Sequence, residues 1–298
     1  MTSASKTVIF FGTEDFSATA LQALIGAGYS VAAVITKPDT FRGRGRTQLV
    51  EPPVKVIAKR HNIPVWQPHK LTDIAHKIES LRPVAGVLSA YGKIIPENIL
   101  GLFTPGIINI HPSLLPKYRG PSPIESAIAN GDNATGVTLM QLVAEMDAGP
   151  IYAQQTLALT GTETRPELYD RLARAGAELL LENLPRILDG TLSPAPQADE
   201  HASYTKLLTK DLSLLNPSLV TAQEAERLVR AHLGYPKTKV AISGHEIVIL
   251  KSHVIDTPST PLDVPFKGNT CLSIDELIAP SGRTMTKAAY LNGYAAGA

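Results

Sequence analysis

Short runs of β-branched and aromatic residues alternate with segments of helical spacing through the first half of the chain, and that order is the mark of a parallel sheet wrapped in helices. Lys6–Phe11 reads as the first strand, Ala18–Ala27 as a helix and Val31–Thr36 as a second strand. Val54–Arg60, Leu71–Leu81 and Val84–Ser89 continue the series, Ile107–His111 is the most apolar later strand, and Thr138–Val143 reads as another. Ser122 and Thr164 are each followed three residues later by a glutamate, so helices are predicted to begin there. The second of these carries Leu168, Leu172, Ala175 and Leu179 on one face and should end near Gly190.

After Gly190 the chain becomes polar and proline-containing, with no period of either kind, as an exposed connector would be. From Tyr204 the texture changes to short alternating strands, such as Lys239–Ile242 and Glu246–Lys251, around one helix opened by the box Thr221–Glu224. That pattern fits a small barrel of the oligonucleotide-binding type. The expected fold class is therefore α/β, a Rossmann-like, mostly parallel sheet domain over residues 1–190, joined by a linker over 191–203 to an OB-like β-barrel domain over 204–298.

With 298 residues, 44% of them hydrophobic and 18% charged, the chain has ample material for a core, which excludes a disordered protein. A net charge of +1 gives no global sign of a nucleic-acid partner, so any such partner must be read from local clusters. The lone Cys271 excludes an intramolecular disulfide and points to a reducing compartment. The apolar run Val8–Phe11 is far too short for a signal-peptide core or a membrane span, so a soluble cytoplasmic protein is expected.

A parallel sheet invites a nucleotide, but the phosphate loops fail. Phe11-Gly-Thr-Glu-Asp-Phe16 offers one glycine where a dinucleotide fingerprint needs three, and it places two acids where a pyrophosphate would sit. The stretch ending Gly92-Lys93 continues with Ile94, where a Walker loop needs Ser or Thr. The histidines show no metal-ligand spacing, so no metal is expected.

One constellation survives. Asn109 and His111 lie two apart on a predicted strand and so project from the same face, at the carboxyl end where open α/β sheets place their ligands. The turn Ala144–Pro150 can return Asp147 to the same pocket. A carboxamide, an imidazole and a carboxylate suit acyl-type transfer without a covalent intermediate: the amide donates to a developing oxyanion, the imidazole stabilises or moves charge, and the carboxylate orients the imidazole.

The segment Asn109-x-His111-x-Ser-Leu-Leu-Pro-Lys-Tyr-Arg-Gly120, with Thr135-Gly-Val-Thr138 and Asp147-Ala-Gly-Pro150, resembles the folate-dependent formyltransferases. Phe11-Gly-Thr13 and Ala90-Tyr-Gly92 extend the match over essentially the whole chain, with the methionyl-tRNA formyltransferases as the nearest branch. The resemblance implies transfer of the formyl group of 10-formyltetrahydrofolate to the α-amine of methionine on initiator tRNA, for translation initiation. It implies that Asn109, His111 and Asp147 are catalytic and that Ser113, Leu114, Leu115 and Pro116 line the folate site, with no metal.

The basic stretch Thr36–Arg46, holding Lys37, Arg42, Arg44 and Arg46, resembles the family's loop that enters the tRNA acceptor stem. In the second domain, Lys206, Lys210, Lys237 and Lys239 are the phosphate-contacting candidates. The expected partners are initiator methionyl-tRNA and the folate donor, the expected state a monomer. Departures from the family pattern are Ala148 where Thr is frequent, and Leu215-Asn216 and Gly234-Tyr-Pro236 where the second domain commonly carries Asp-Trp and Pro-Trp-Pro. Formyltransferases of nucleotide-linked amino sugars share the Lys-Tyr-Arg-Gly segment and the Asp-Ala-Gly turn. A small sugar gives no reason for the long arginine loop, which favours the tRNA reading.

Overall fold

In a computed structural model the described residues are 7–43, 45 and 47–294, apart from the side chains of Arg42 and Tyr294. They form two compact units. The first comprises the described residues up to Gly120 with Thr135–Leu157 and Tyr169–Tyr204; the second comprises Pro121–Ala134, Ala158–Leu168 and the described residues from Thr205.

The order of elements begins β1 (Thr7–Gly12), α1 (Asp15–Gly26), β2 (Ser30–Ile35), β3 (Thr40–Arg42), β4 (Gln48–Val50), α2 (Pro53–Arg60) and β5 (Val65–Trp66). A 3₁₀ turn at Leu71–Ile74 leads into α3 (Ala75–Leu81), followed by β6 (Ala85–Ser89), α4 (Glu97–Leu100), β7 (Ile107–His111), α5 (Pro123–Asn130), β8 (Ala134–Gln141), β9 (Ile151–Ala158) and α6 (Arg165–Leu188). The remaining elements are α7 (Ala222–Ala231), β10 (Lys239–Ile242), β11 (His245–Ile255), β12 (Asp263–Phe266), β13 (Thr270–Ile278), β14 (Thr284–Thr286) and α8 (Lys287–Tyr294).

A seven-stranded sheet runs in the order β5, β2, β1, β6, β7, β8, β9. The pairs β2/β5, β1/β2, β1/β6 and β6/β7 are parallel, while β7/β8 is antiparallel, so the Rossmann-like reading holds with a mixed edge. The strand order reverses at β1, which places the switch point, where such sheets bind ligands, at the carboxyl ends of β1 and β6. Two hydroxyls tie those ends together: Ser17 Oγ donates to the Ser89 carbonyl at 2.5 Å and Thr13 Oγ1 to the Tyr91 carbonyl at 3.0 Å. Beneath them Ile9, Phe11, Ile35, Ile78, Tyr91 and Ile99 are closed off from solvent, each large aliphatic side chain contributing about 1.5–3 kcal/mol of burial.

β8 starts at Ala134, ahead of the predicted Thr138, and at Gly136 a Cβ would fall 2.2 Å from the Gln155 carbonyl and 2.5 Å from the Leu114 side chain. The missing side chain is what lets the backbone pass so close. β9 has no counterpart among the predicted strands, because its burial alternates as an edge strand does and its outward positions include Gln154 and Thr156.

In the second unit, β10, β11, β13 and β12 lie side by side with β14 on β13, a curled half-barrel that matches the OB-like expectation. Its antiparallel β11/β13 register slips between Ile249 and Ser252, and irregularities of this kind bend a strand and sharpen its twist. α7 packs Ala222, Ala225 and Val229 onto Val240, Ile247, Leu272 and Ile274. The helix opens with the full capping box predicted at Thr221, the hydroxyl accepting from the Glu224 N–H and the Glu224 carboxylate accepting from the Thr221 N–H.

At Thr164 half of the predicted box is made, with Glu167 accepting from the Thr164 N–H. At Ser122 it is not made: the hydroxyl donates instead to the Lys206 carbonyl at 2.7 Å, and Glu125 pairs with Arg165. Arg227 lies over Gly131 and donates from Nε to the Ala129 carbonyl at 2.9 Å, fastening the end of α5 to α7.

Candidate active site

β7 is buried along its whole length, and Asn109 and His111 on it are each 5% exposed. Asn109 is in register with Leu88 of β6 and Met140 of β8, and His111 with Thr138 of β8, so both polar side chains share one face beside the switch point.

The turn after β8 brings the carboxylate to them. Asp147 Oδ2 lies 3.7 Å from His111 Nδ1 and accepts the Gly120 N–H at 2.8 Å. The other imidazole nitrogen, Nε2, is 3.0 Å from the Tyr118 carbonyl. A carbonyl only accepts, so Nε2 carries the proton and Nδ1 is the nitrogen left to gain one. A proton arriving there faces the carboxylate at once. The separation is too long for a hydrogen bond as it stands and short enough for an ion pair once the ring is charged.

Asp147 adopts φ +50°, a left-handed conformation that costs a non-glycine residue about 1 kcal/mol and must be held from outside. The holder is Gln197, whose Nε2 donates to both the Asp147 and the Gly149 carbonyls at 2.7 Å. Its Oε1 in turn accepts from Nε and Nη2 of Arg119, at 3.1 and 2.8 Å. Arg119 is 1% exposed, and it also bonds to Asp199 and the Tyr204 hydroxyl. Gly149 completes the turn by absence of bulk, since a Cβ there would lie 1.8 Å from the Gln141 carbonyl oxygen.

The sequence reading missed both Gln197 and the role of Arg119. The segment it took for an exposed connector is exposed at most positions, as expected, but it is also hydrogen-bonded to the sheet and to the loop after β7, Ala195 bridging to Ile151 and Ser203 to Pro116 and Tyr118.

The folate candidates fall on the loop that leaves β7. Ser113 and Leu115 are buried, and Leu114 and Pro116 are half-buried. The Ser113 hydroxyl donates to the Lys117 carbonyl at 2.5 Å, and the Ser113 carbonyl accepts from Thr138 Oγ1 at 2.6 Å. The same threonine oxygen receives the Leu115 N–H and the Gln154 amide, so this loop is braced against β8 and β9.

Of the tRNA candidates, Arg44, Arg46 and the Arg42 side chain lie outside the described residues. Lys37 is half-buried, its ammonium so near Gly92 that a Cβ at that glycine would lie 2.3 Å from Nζ. Lys206 and Lys210 are exposed, and Lys239 is paired with Glu246. Tyr235 is 49% exposed, so it is not a core tyrosine. Among the described residues no group of His, Cys, Asp and Glu is gathered as metal ligands would be, and no helix is long and apolar enough to cross a membrane.

The Tyr91 hydroxyl is buried among apolar side chains with no partner in the described residues, and burial pushes it up to about 12. It stays neutral at any working pH.

Chemically, the site offers a carboxamide beside a proton-accepting imidazole nitrogen backed by a carboxylate, held on a buried strand end by main-chain hydrogen bonds.

The formyl transferase family model matches residues 5–184. A methionyl-tRNA formyltransferase of Halorhodospira halophila is 40% identical over 299 residues, covering 96% of each chain. One from Chloroflexus aurantiacus is 38% identical over 302 residues, again covering 96% of each. Among solved structures, HypX from Aquifex aeolicus superposes with a TM-score of 0.68 at 16% identity, over 98% of this chain and 49% of its own. An N-formyltransferase from Helicobacter canadensis, in complex with folinic acid and dTDP-3-aminofucose, gives 0.69 at 19% identity, over 90% of this chain and 98% of its own. At those identities the two structures speak for the fold.

Proposed function

The chain belongs to the methionyl-tRNA formyltransferase family, a folate-dependent group of transferases, and from that premise we propose that Asn109, His111 and Asp147 carry the formyl from 10-formyltetrahydrofolate to the α-amine of methionine on initiator tRNA. The observation that supports this assignment best is the convergence itself, with Nδ1 of His111 3.7 Å from Oδ2 of Asp147 on the face of β7 that also carries Asn109.

The neutral amine attacks the formyl carbon, and a new C–N bond forms while the carbonyl electron pair moves onto oxygen. Asn109 donates to that oxyanion, and a positive charge on His111 would stabilise it further. The proton lost by the attacking nitrogen passes to the His111–Asp147 pair through Nδ1, the free ring nitrogen. When the bond to the folate nitrogen breaks, the oxyanion collapses to the new formamide and the pair returns the proton to the departing nitrogen. Ser113–Pro116 border the donor in this reading, since their loop starts where β7 ends.

Residues 1–190 carry the transfer chemistry and 204–298 the contacts to the acceptor stem, with 191–203 joining them. Lys37, Arg42, Arg44 and Arg46 of the first domain bind tRNA phosphates together with Lys206 and Lys210 of the second. The enzyme acts as a monomer in the cytoplasm, a setting that suits its single unpaired, buried cysteine.

Two acceptors decide the reading. The protein is incubated with 10-formyltetrahydrofolate and either methionyl-initiator tRNA or a nucleotide-linked amino sugar, and the formylated product is identified. Formyl on the tRNA supports the proposal, and formyl on the sugar alone overturns it.

A further inference from the structure

The hairpin of β3 and β4 is tied at its base to one lysine of α2. Asp39 stands just before β3 and Glu51 just after β4. Lys55 Nζ lies 2.8 and 2.7 Å from the two Asp39 oxygens and 3.2 Å from Glu51 Oε1, so a single ammonium holds both ends of the hairpin. Lys55 also donates to Gln67 Oε1 at 3.1 Å, and Gln67 Nε2 donates to Asp39 and to the Lys37 carbonyl, both at 2.8 Å. Lys59, one turn further along α2, meets Glu51 as well. The Lys55 side chain is only 14% exposed and that of Asp39 18%, unlike a solvated surface pair.

The hairpin has little else to fix its direction. Its strands pair over three positions, Thr40 with Val50, Phe41 with Leu49 and Arg42 with Gln48. A two-stranded ribbon of that size is marginal by itself. The apolar pair Phe41 and Leu49 is 60% and 53% exposed, so packing does not anchor it. The helix that carries Lys55 is anchored, with Val54 and Ala58 fully buried and Ile57 nearly so.

We propose that Lys55 is a positioning residue for tRNA recognition, fixing the direction in which the β3–β4 hairpin carries its basic stretch and so setting the affinity for methionyl-tRNA without touching the reacting groups. This inference rests on the reading of that stretch as tRNA-binding. A hairpin released at its base presents its binding-competent orientation for part of the time, and the apparent affinity falls by that fraction.

The test is steady-state kinetics of the full chain with methionyl-tRNA and 10-formyltetrahydrofolate, for Lys55→Met, Lys55→Arg, Glu51→Gln and Arg44→Ala. Lys55→Met is expected to raise the KM for methionyl-tRNA about tenfold, with kcat and the KM for the folate donor within about twofold of wild type. Lys55→Arg, which still reaches both carboxylates, recovers most of the loss, as a residue serving only as bulk would not. Glu51→Gln frees one end of the hairpin and gives a smaller rise in the same KM, which carries the test should Lys55→Met fail to fold.

An unchanged tRNA KM in Lys55→Met, beside a raised one in Arg44→Ala, overturns the clamp and leaves the loop reading standing. No response in either variant overturns both. An equal loss in kcat and in the KM for both substrates shows a lysine that serves only the fold, and also overturns the proposal.

Discussion

Gln197 lets the link between Asp147 and catalysis be tested away from the reacting groups. Its carboxamide makes four bonds that hold the turn, two donated to the Asp147 and Gly149 carbonyls at 2.7 Å and two accepted from Nε and Nη2 of Arg119 at 3.1 and 2.8 Å. Gln197→Glu keeps the acceptor that faces Arg119 and turns that contact into an ion pair, but it replaces the donor with an oxygen that repels both carbonyls. Freed from the brace, Asp147 keeps only the side-chain bond from the Gly120 N–H against the strain of φ +50° and relaxes toward ordinary backbone, carrying its carboxylate away from His111 Nδ1. A displacement near 1 Å at a reacting group costs about 10² in rate, or ~2.7 kcal/mol. The stability change is smaller, about 1–2 kcal/mol, because the two lost hydrogen bonds are offset in part by the new pair with Arg119. The assay is single-turnover formyl transfer at saturating donor and acceptor, with denaturant unfolding of the same samples. A rate about a hundredfold down in Gln197→Glu, with substrate affinities kept, is expected. A rate within threefold of wild type would refute the idea that the brace serves catalysis through Asp147.

Three further outcomes follow from the same geometry. Asn109→Ala should lower kcat by on the order of 10²–10³ while the unfolding transition stays in place, and a near-normal kcat would remove Asn109 from the mechanism. Gly149→Ala drives a methyl into the Gln141 carbonyl, so both the melting temperature and kcat should drop, by about 1–3 kcal/mol in stability, and a wild-type melt would show that the strand yields without cost. In the second unit, burial alone would raise the carboxyl of Asp263, but bonds from Lys287, the Ser259 N–H, Ser273 and Thr260 outweigh it and hold the group well below the usual carboxylate range. Its folded value lies under the unfolded ~3.9, so its stabilisation is full above about pH 5 and is lost as the pH falls below ~4. Asp263→Asn should therefore lose about 2–4 kcal/mol at pH 7, with the gap to wild type closing in acid; a gap independent of pH contradicts the assignment.

The parts of the molecule that could be read in advance are those that leave a local trace. The alternation of strand and helix signals located β1, α1, β2, α2 and β6 to within a few residues, and the i, i+2 spacing put Asn109 and His111 on one face of β7. The arrival of Asp147 depended on a turn directly after a strand, which sequence also marks. Gln197 and Arg119 left no such trace. Their partners lie roughly fifty and eighty positions away along the chain, and a polar segment without periodicity looks the same whether it is solvated or threaded through a hydrogen-bond network. Ser122 shows the converse limit, for its capping signal is real but the Lys206 carbonyl takes the hydroxyl first. Lys37 belongs by composition to the arginine stretch, and its closeness to Gly92, where a Cβ would meet its ammonium, is a contact that no local pattern announces.

The second unit is sewn from three separate stretches of chain, with α5 joined to α7 through Arg227 across nearly a hundred intervening residues. On a ribosome, α5 therefore emerges well before the helix that secures it. Assembly of this unit must wait for the carboxyl-terminal third, a high-contact-order step that makes it the slower to mature and leaves the nascent chain in need of shelter meanwhile.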